Sequence, residues 1–307
     1  MSPWTAFKNG MARIWFHKRL LLWLYLINLV FASVLVFPFR NVVSEISKTD
    51  LADEFVSGFT VDSFAVFWSE HSSAFKSLGS AAVGLGVLYL IVNIFLVGGI
   101  ITTLTAEHRV SLRRFFYNAS RYFGRYLRLF VLLGIVIGLI FTAYGTWVNE
   151  YVEDLQKDAM TDMASFLWRG LAVVVLLVFI SLVLMVFDYA KIRTVVDGRR
   201  SMFLAAVTAF GFSLRRPLRT VSLFYLNLVI VVLLFAIYLF VENQFSNATV
   251  ISMVGLFVIQ QLFILSRIWM RLSFFSTQLV FYRSASEVPP TAPPEETEAV
   301  SELSSEA

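Results

Sequence analysis

The chain has no cysteine and only three histidines, His17, His71 and His108, in 307 residues. Disulfides, thiolate catalysis, iron–sulfur clusters and Cys-based zinc sites are excluded together, and a His-rich metal site is not expected. Charge is also scarce. Charged residues make up 15% of the chain, where a globular protein carries about 25%. Sequence patterns with a known mechanism are missing as well: there is no Gly-Lys-Ser/Thr phosphate loop, no His-Glu-x-x-His and no Gly-x-Ser-x-Gly. No cofactor, metal or catalytic residue is therefore expected.

What the chain has in excess is apolar side chain. Hydrophobic residues reach 58%, with 31 Phe, 11 Tyr and 7 Trp, and mean hydropathy is +0.75. A soluble core of this size could not hide that much, so the expectation is an all-α polytopic membrane bundle. Backbone polar groups in hydrocarbon must pair within their own segment, so each run of about 20 apolar residues should be a helix. Six are expected: Leu20–Phe39, Leu78–Thr105, Leu129–Val148, Gly170–Ala190, Thr220–Val241 and Val250 to about Arg267. The last apolar run continues to Tyr282, and its C-terminal part is expected to be a cytosolic or interfacial extension. The first span is too long for a signal peptide, and Phe37-Pro38-Phe39-Arg40 offers no small-residue cleavage site.

Basic residues alternate between the two sides. Twenty fall in the N-terminus, the second and fourth connections and the stretch after the sixth span; only Arg40, Lys48, Lys76, Lys157 and Arg169 fall opposite. The positive-inside rule then places both termini in the cytoplasm. The opposite loops, 40–76 and 149–168, are acidic and aromatic; Phe64, Phe67, Trp68, His71 and Phe75 share one helical face there. Residues 286–307, with four prolines and six glutamates, read as a disordered cytoplasmic tail behind a membrane domain at 1–285.

Short matches recur at fixed offsets. An offset of 109 pairs Ser2 with Ser111 and Arg19 with Arg128, and an offset of 91 pairs Arg125-x-Leu-Arg128 with Arg216-x-Leu-Arg219. An offset of 199 pairs Ser2 with Ser201 and Asn28 with Asn227. Three pseudo-repeats are expected, at about 1–107, 108–197 and 198–285. Each would be an interfacial amphipathic helix N-capped by serine, a basic turn, a span out and a span back. In the second, Leu112, Phe115, Phe116, Ala119, Tyr122, Phe123 and Tyr126 form an apolar stripe at helical spacing. In the third, residues 201–214 are apolar nearly all round and are expected to sink between spans.

The basic residues Arg113, Arg114, Arg121, Arg199 and Arg200 are expected to contact anionic lipid headgroups, since they sit beside the bilayer. Nucleic acid is not an expected partner. Asp188 can pair with Lys191 at i, i+3, or with Arg267 or Arg271 on the last span. An ion pair at the membrane edge is favoured over a cation or lipid-amine site. Deeper polar residues are amides: Asn28, Asn93, Asn227, Gln260 and Gln261. Hydrogen bonds of this kind between helices are worth roughly 0.6–2 kcal/mol and ordinarily serve as glue. Gly134-x-x-x-Gly138 and Gly79, Gly84 and Gly86 are expected to let helices approach closely.

The stretch Asp188-Tyr189-Ala190-Lys191-Ile192-Arg193, then Asp197-Gly198-Arg199-Arg200-Ser201, then Arg215-Arg216-Pro217-Leu218-Arg219 resembles a signature of an uncharacterised family of bacterial six-span membrane proteins. That family is itself similar to the membrane domain attached to some glycerophosphodiester phosphodiesterases. The likeness is clear over residues 180–240. It implies a bacterial inner-membrane protein; the phosphodiesterase domain is not in this chain. The expected function is a non-enzymatic scaffold or lipid-interacting accessory subunit, with a membrane-protein partner or a homo-oligomer. A small-solute or lipid transporter or channel is the alternative, and a membrane-embedded enzyme comes a distant third.

Overall fold

The computed structural model describes residues 1–46, 72–158, 162–245 and 250–286. The expectations for the first outer loop and for the acidic tail fall outside the described residues. Eight helices account for nearly all that is described: α1 Pro3–Phe16, α2 Lys18–Ile46, α3 Ser72–Thr105, α4 Leu112–Asp158, α5 Asp162–Val196, α6 Met202–Arg215, α7 Pro217–Glu242 and α8 Val250–Ser286. Each of the six expected spans lies inside one of these helices. Five helices are individually long and apolar enough to cross a membrane, and α2 makes a sixth when taken with α1.

The chain divides into two compact units. The smaller, Arg19–Ile94, consists of α2 and most of α3. Here the Asn28 amide donates to the Leu24 carbonyl at 2.7 Å, and its oxygen accepts from the Tyr89 hydroxyl. The Tyr89 ring meets Phe31 edge-on at 5.3 Å, and Asn93 donates back to the Tyr89 carbonyl at 2.7 Å.

In the larger unit, Met1–Lys18 with Phe95–Ala307, α8 is the central element, packing against α1, α7 and α5. Burial is concentrated at the basic end of the helices. Leu272, Ser273, Ser276, Thr277, Gln278 and Leu279 have no exposed surface. The outer stretches of α4, α5, α7 and α8 expose residues such as Leu139, Phe166, Phe240 and Ile251. In water such faces would have to collapse on one another; beside lipid they need no protein partner. The part of α8 beyond Arg267, expected as a cytosolic or interfacial extension, is the most deeply buried stretch of this unit. Its serines and threonines give their hydroxyls to their own helix, to α1 or to Asn227 of α7, so they can be buried without loss.

Serine opens three helices as expected. The Ser2 hydroxyl accepts from the Thr5 amide at 3.2 Å, Ser111 from Arg114 at 3.4 Å and Ser201 from Leu204 at 3.4 Å. Beyond their caps the three segments differ. Helix α1 ends at His17 (φ −101°, ψ 32°) and α6 at Arg216 (φ −141°, ψ 53°), where Pro217 begins the next helix. The second segment does not break: α4 runs for 47 residues, about 70 Å. At the offset of 91 the residue matching Pro217 is Tyr126, which keeps its amide and has no ring to clash with the preceding turn. The separate interfacial helix expected there is the first four turns of α4.

Close approaches occur at glycines other than those expected. A Cβ at Gly10 of α1 would lie 2.7 Å from the Thr277 Cα, and one at Gly98 would lie 2.9 Å from the Tyr122 Cβ. Around Gly79, Gly84, Gly86, Gly134 and Gly138 a Cβ would meet nothing within 4 Å. Among the described residues nothing approaches those glycines, so spacing along one helix was not enough to identify a contact.

Candidate functional site

The signature stretch 188–219 builds a polar knot at the basic end. Along α5 the side chains at 188, 191, 193 and 197 fall on neighbouring turns, and Gly198 at φ +65° then reverses the chain into α6. Asp188 accepts from Lys191 Nζ at 2.8 Å, and the ammonium lies 5.6 Å from the Phe275 ring centre. The Lys191 carbonyl accepts from the buried Tyr126 hydroxyl at 3.0 Å, tying α4 to α5. Of the two pairings open to Asp188 in the sequence, the contact formed is the one within its own helix.

Asp197 stands in the signature without an assigned partner, yet it is the hub. Its carboxylate accepts the Tyr282 hydroxyl from α8 at 2.9 and 3.0 Å and Arg193 Nε at 3.0 Å. Arg199 Nε approaches to 3.7 Å. Arg193 also donates to the Thr208 carbonyl of α6 at 2.7 Å and lies over the Tyr282 ring. Phe212 of α6 sits between the rings of Tyr189, Phe281 and Tyr282. Helices α5, α6 and α8 are therefore locked by one carboxylate and one aromatic cluster. The signal was present in the sequence as Arg193 four residues before Asp197, but Tyr282 is 85 residues away and could not be assigned to it.

A second cationic contact caps α3. Arg13 of α1 donates to the carbonyls of Leu104, Thr105 (3.0 Å) and Ala106 (3.3 Å), the last turn of that helix. His17 Nε2 lies 3.2 Å from the Ala106 carbonyl. Orphan carbonyls at a helix C-terminus carry partial negative charge, which suits a cation. Burial lowers the proton affinity of Arg13, against a smaller opposing effect from Glu107. Burial is also the main reason that His17 is harder to protonate than usual, with Arg13 and His108 adding repulsion.

The expected headgroup residues fall in two groups. Arg113, Arg121 and Arg200 are exposed. Arg114 is half-buried and lies 3.3 Å from His108 Nε2, while Arg199 belongs to the Asp197 knot. Of the apolar stripe of this segment, Phe115, Ala119 and Tyr126 are buried against protein, while Leu112 and Phe116 are exposed. Helix α6 is not sunk between spans. Met202, Ala205, Ala209 and Ser213 are buried, but Phe203, Phe210 and Leu214 are more than half exposed.

Of the intramembrane amides in this unit, Asn227 is the most completely used. It is wholly buried, donates to the Leu223 carbonyl at 2.9 Å and to Thr277 Oγ1 at 3.1 Å, and accepts from Ser273 Oγ at 2.6 Å. Asn28 and Asn227, matched at an offset of 199, share the donation to the carbonyl four residues back and an incoming hydroxyl from another helix. Gln260 is exposed near Tyr238, and Gln261 is half-buried and engaged.

Between α5, α7 and α8 lies a cavity of about 580 Å³, within the usual range for a small-molecule site. Its walls are mostly apolar. The aromatic pairs Phe224–Phe274 and Phe235–Phe263, with ring centres 5.3 and 6.1 Å apart, stand at two levels of α7 and α8. Asp188, Arg267 and Arg271 supply its charge. Neither Asn227 nor Gln260 lines it. Comparison of the chain with protein-family models, with curated proteins and with solved structures finds no match.

Proposed function

We propose that this chain is a non-enzymatic integral protein of a bacterial inner membrane, a scaffold or lipid-interacting accessory subunit, with both termini cytoplasmic. The observation that carries the reading is how the polar groups of the larger unit are used. Asn227 is saturated by α7 and α8, and Asp197 by α5, α8 and the turn into α6. A solute path would need polar side chains along a wet cavity; here the walls are mostly aromatic and aliphatic, and the polar lining is confined to Asp188, Ser266, Arg267 and Arg271. The exposed apolar outer faces of α4, α5 and α7 supply a broad surface for lipid or for another membrane protein.

The test is a pair of measurements on purified protein. Native-membrane extraction followed by mass spectrometry should find co-purifying anionic lipid or a stoichiometric membrane-protein partner. Proteoliposomes should show no protein-dependent flux of small solutes. A saturable flux lost on Asn227→Leu would replace this reading with a transporter.

A further inference from the structure

Arg267 is exposed on the apolar face of α8, beside Phe263 and Leu262, inside the stretch long and apolar enough to span a membrane. It forms no ion pair with any described residue. Arg271 lies one turn further along the same wall, and both line the cavity between α5, α7 and α8. The acid that shares this cavity, Asp188, is engaged by Lys191 at 2.8 Å. An exposed guanidinium set among apolar side chains without a counter-charge is costly at the edge of a span, and membrane proteins pair such groups or route them to water or headgroups. In a bilayer the anion at hand is the phosphate of a lipid.

The geometry points to one occupant: we propose that the cavity holds an anionic glycerophospholipid, its phosphate between Arg267 and Arg271 and its acyl chain against the Phe235–Phe263 pair. This rests on the reading of the chain as a lipid-interacting membrane protein and names the lipid class and the site. Guanidinium suits the task, since its planar fork can bind two phosphate oxygens at once. Leu184 and Phe235, both lining residues, are 37% and 49% exposed, so the cavity opens sideways and a lipid can enter without crossing the bundle. With Asp188 engaged by Lys191, the charge of Arg267 has no counter-ion among the described residues, which favours a lipid with a net negative headgroup over a zwitterionic one.

The experiment is native mass spectrometry of the full chain after exchange with vesicles of phosphatidylglycerol or of phosphatidylcholine. Wild type should retain one tightly held phosphatidylglycerol per chain and should not replace it with phosphatidylcholine. Arg267→Gln combined with Arg271→Gln should lower retention at least tenfold, and raised salt should weaken wild type in the same direction. Leu234→Trp, which fills the cavity and leaves both arginines in place, should displace the same lipid. Equal retention of phosphatidylcholine, or retention unchanged in both variants, overturns the proposal. If the lipid survives those variants but is lost on substituting Arg113, Arg114 and Arg121 with Gln, this site is wrong while the lipid-interacting reading stands. A wild-type chain that holds no lipid in any vesicle sinks the site and weakens the broader reading with it.

Discussion

Asp197 and Asp188 sit nine residues apart, at and just beyond the end of one helix, yet the structure makes them unequal. Asp188 holds one ammonium, with side chains 17% and 24% exposed. Partly solvated pairs of this kind are worth about 1 kcal/mol, so Asp188→Asn should lower thermal stability modestly. Asp197 accepts from Tyr282 and Arg193 and lies near Arg199. Removing it takes the shared acceptor from Arg193 and Tyr282 at a three-helix junction, although Arg193 keeps the Thr208 carbonyl, and losing hydrogen bonds to a charged group costs about 1.5–3 kcal/mol. Asp197→Ala should therefore lower the melting temperature in detergent clearly more than Asp188→Asn, and the reverse order would displace the knot as the organising contact. His17 makes stability depend on pH. Its folded-state pKa is held below the ordinary 6.5 by burial. As pH falls through 6.5 the unfolded chain takes a proton that the folded ring resists, so stability drops on that side and not above it. Melting temperatures at pH 7.5 and 5.5 should differ less in His17→Gln than in wild type. Gln278 is wholly buried, and neither end of its amide finds a partner among the described residues. An unmet buried amide costs about 1–3 kcal/mol, so Gln278→Met should raise the melting temperature.

Helix α1 meets α8 at a glycine, and that contact sets the strength of the junction. The Gly10 carbonyl accepts from Ser276 Oγ at 2.8 Å, and backbone atoms of Thr277 stand within 3 Å of any added Cβ. Backbone cannot rotate aside as a side chain can, so the helices must separate, and overpacking of this kind costs about 1–3 kcal/mol. Gly10→Ala should destabilise the protein, whereas Gly134→Ala, with nothing nearby, should be neutral or slightly stabilising through helix propensity. Parallel thermal melts of the two variants check the contrast. The elements themselves were readable from the sequence because a 20-residue apolar run has one solution in hydrocarbon. Serine caps were readable for a similar reason, being local. Continuity was not: Pro217 marks one break, the break at His17 has no proline to mark it, and α4 runs on through Tyr126. Nor were the partners of Arg13 and Asp197 readable, since hydrogen bonds that close over 85 to 93 residues leave no local pattern.

At the scale of the molecule, charge and packing share a direction. Twenty of the 25 basic residues belong to the segments that begin α1, join α3 to α4 and α5 to α7, and close α8. The knot of Asp197 and the arginine cap on α3 lie at those same segments. Cations resist translocation and remain on the side of synthesis, so the end that packs most tightly is the end expected in the cytoplasm. The absence of native cysteine makes this direct to test. Single cysteines at Asn243, exposed at the far end of α7, and at Ser284, exposed near the end of α8, report opposite sides. In intact cells an impermeant maleimide should label Asn243→Cys and spare Ser284→Cys, and opening the membrane should expose the second. Labelling of Ser284→Cys alone would invert the topology, and with it the leaflet from which the cavity beside Arg267 draws its lipid.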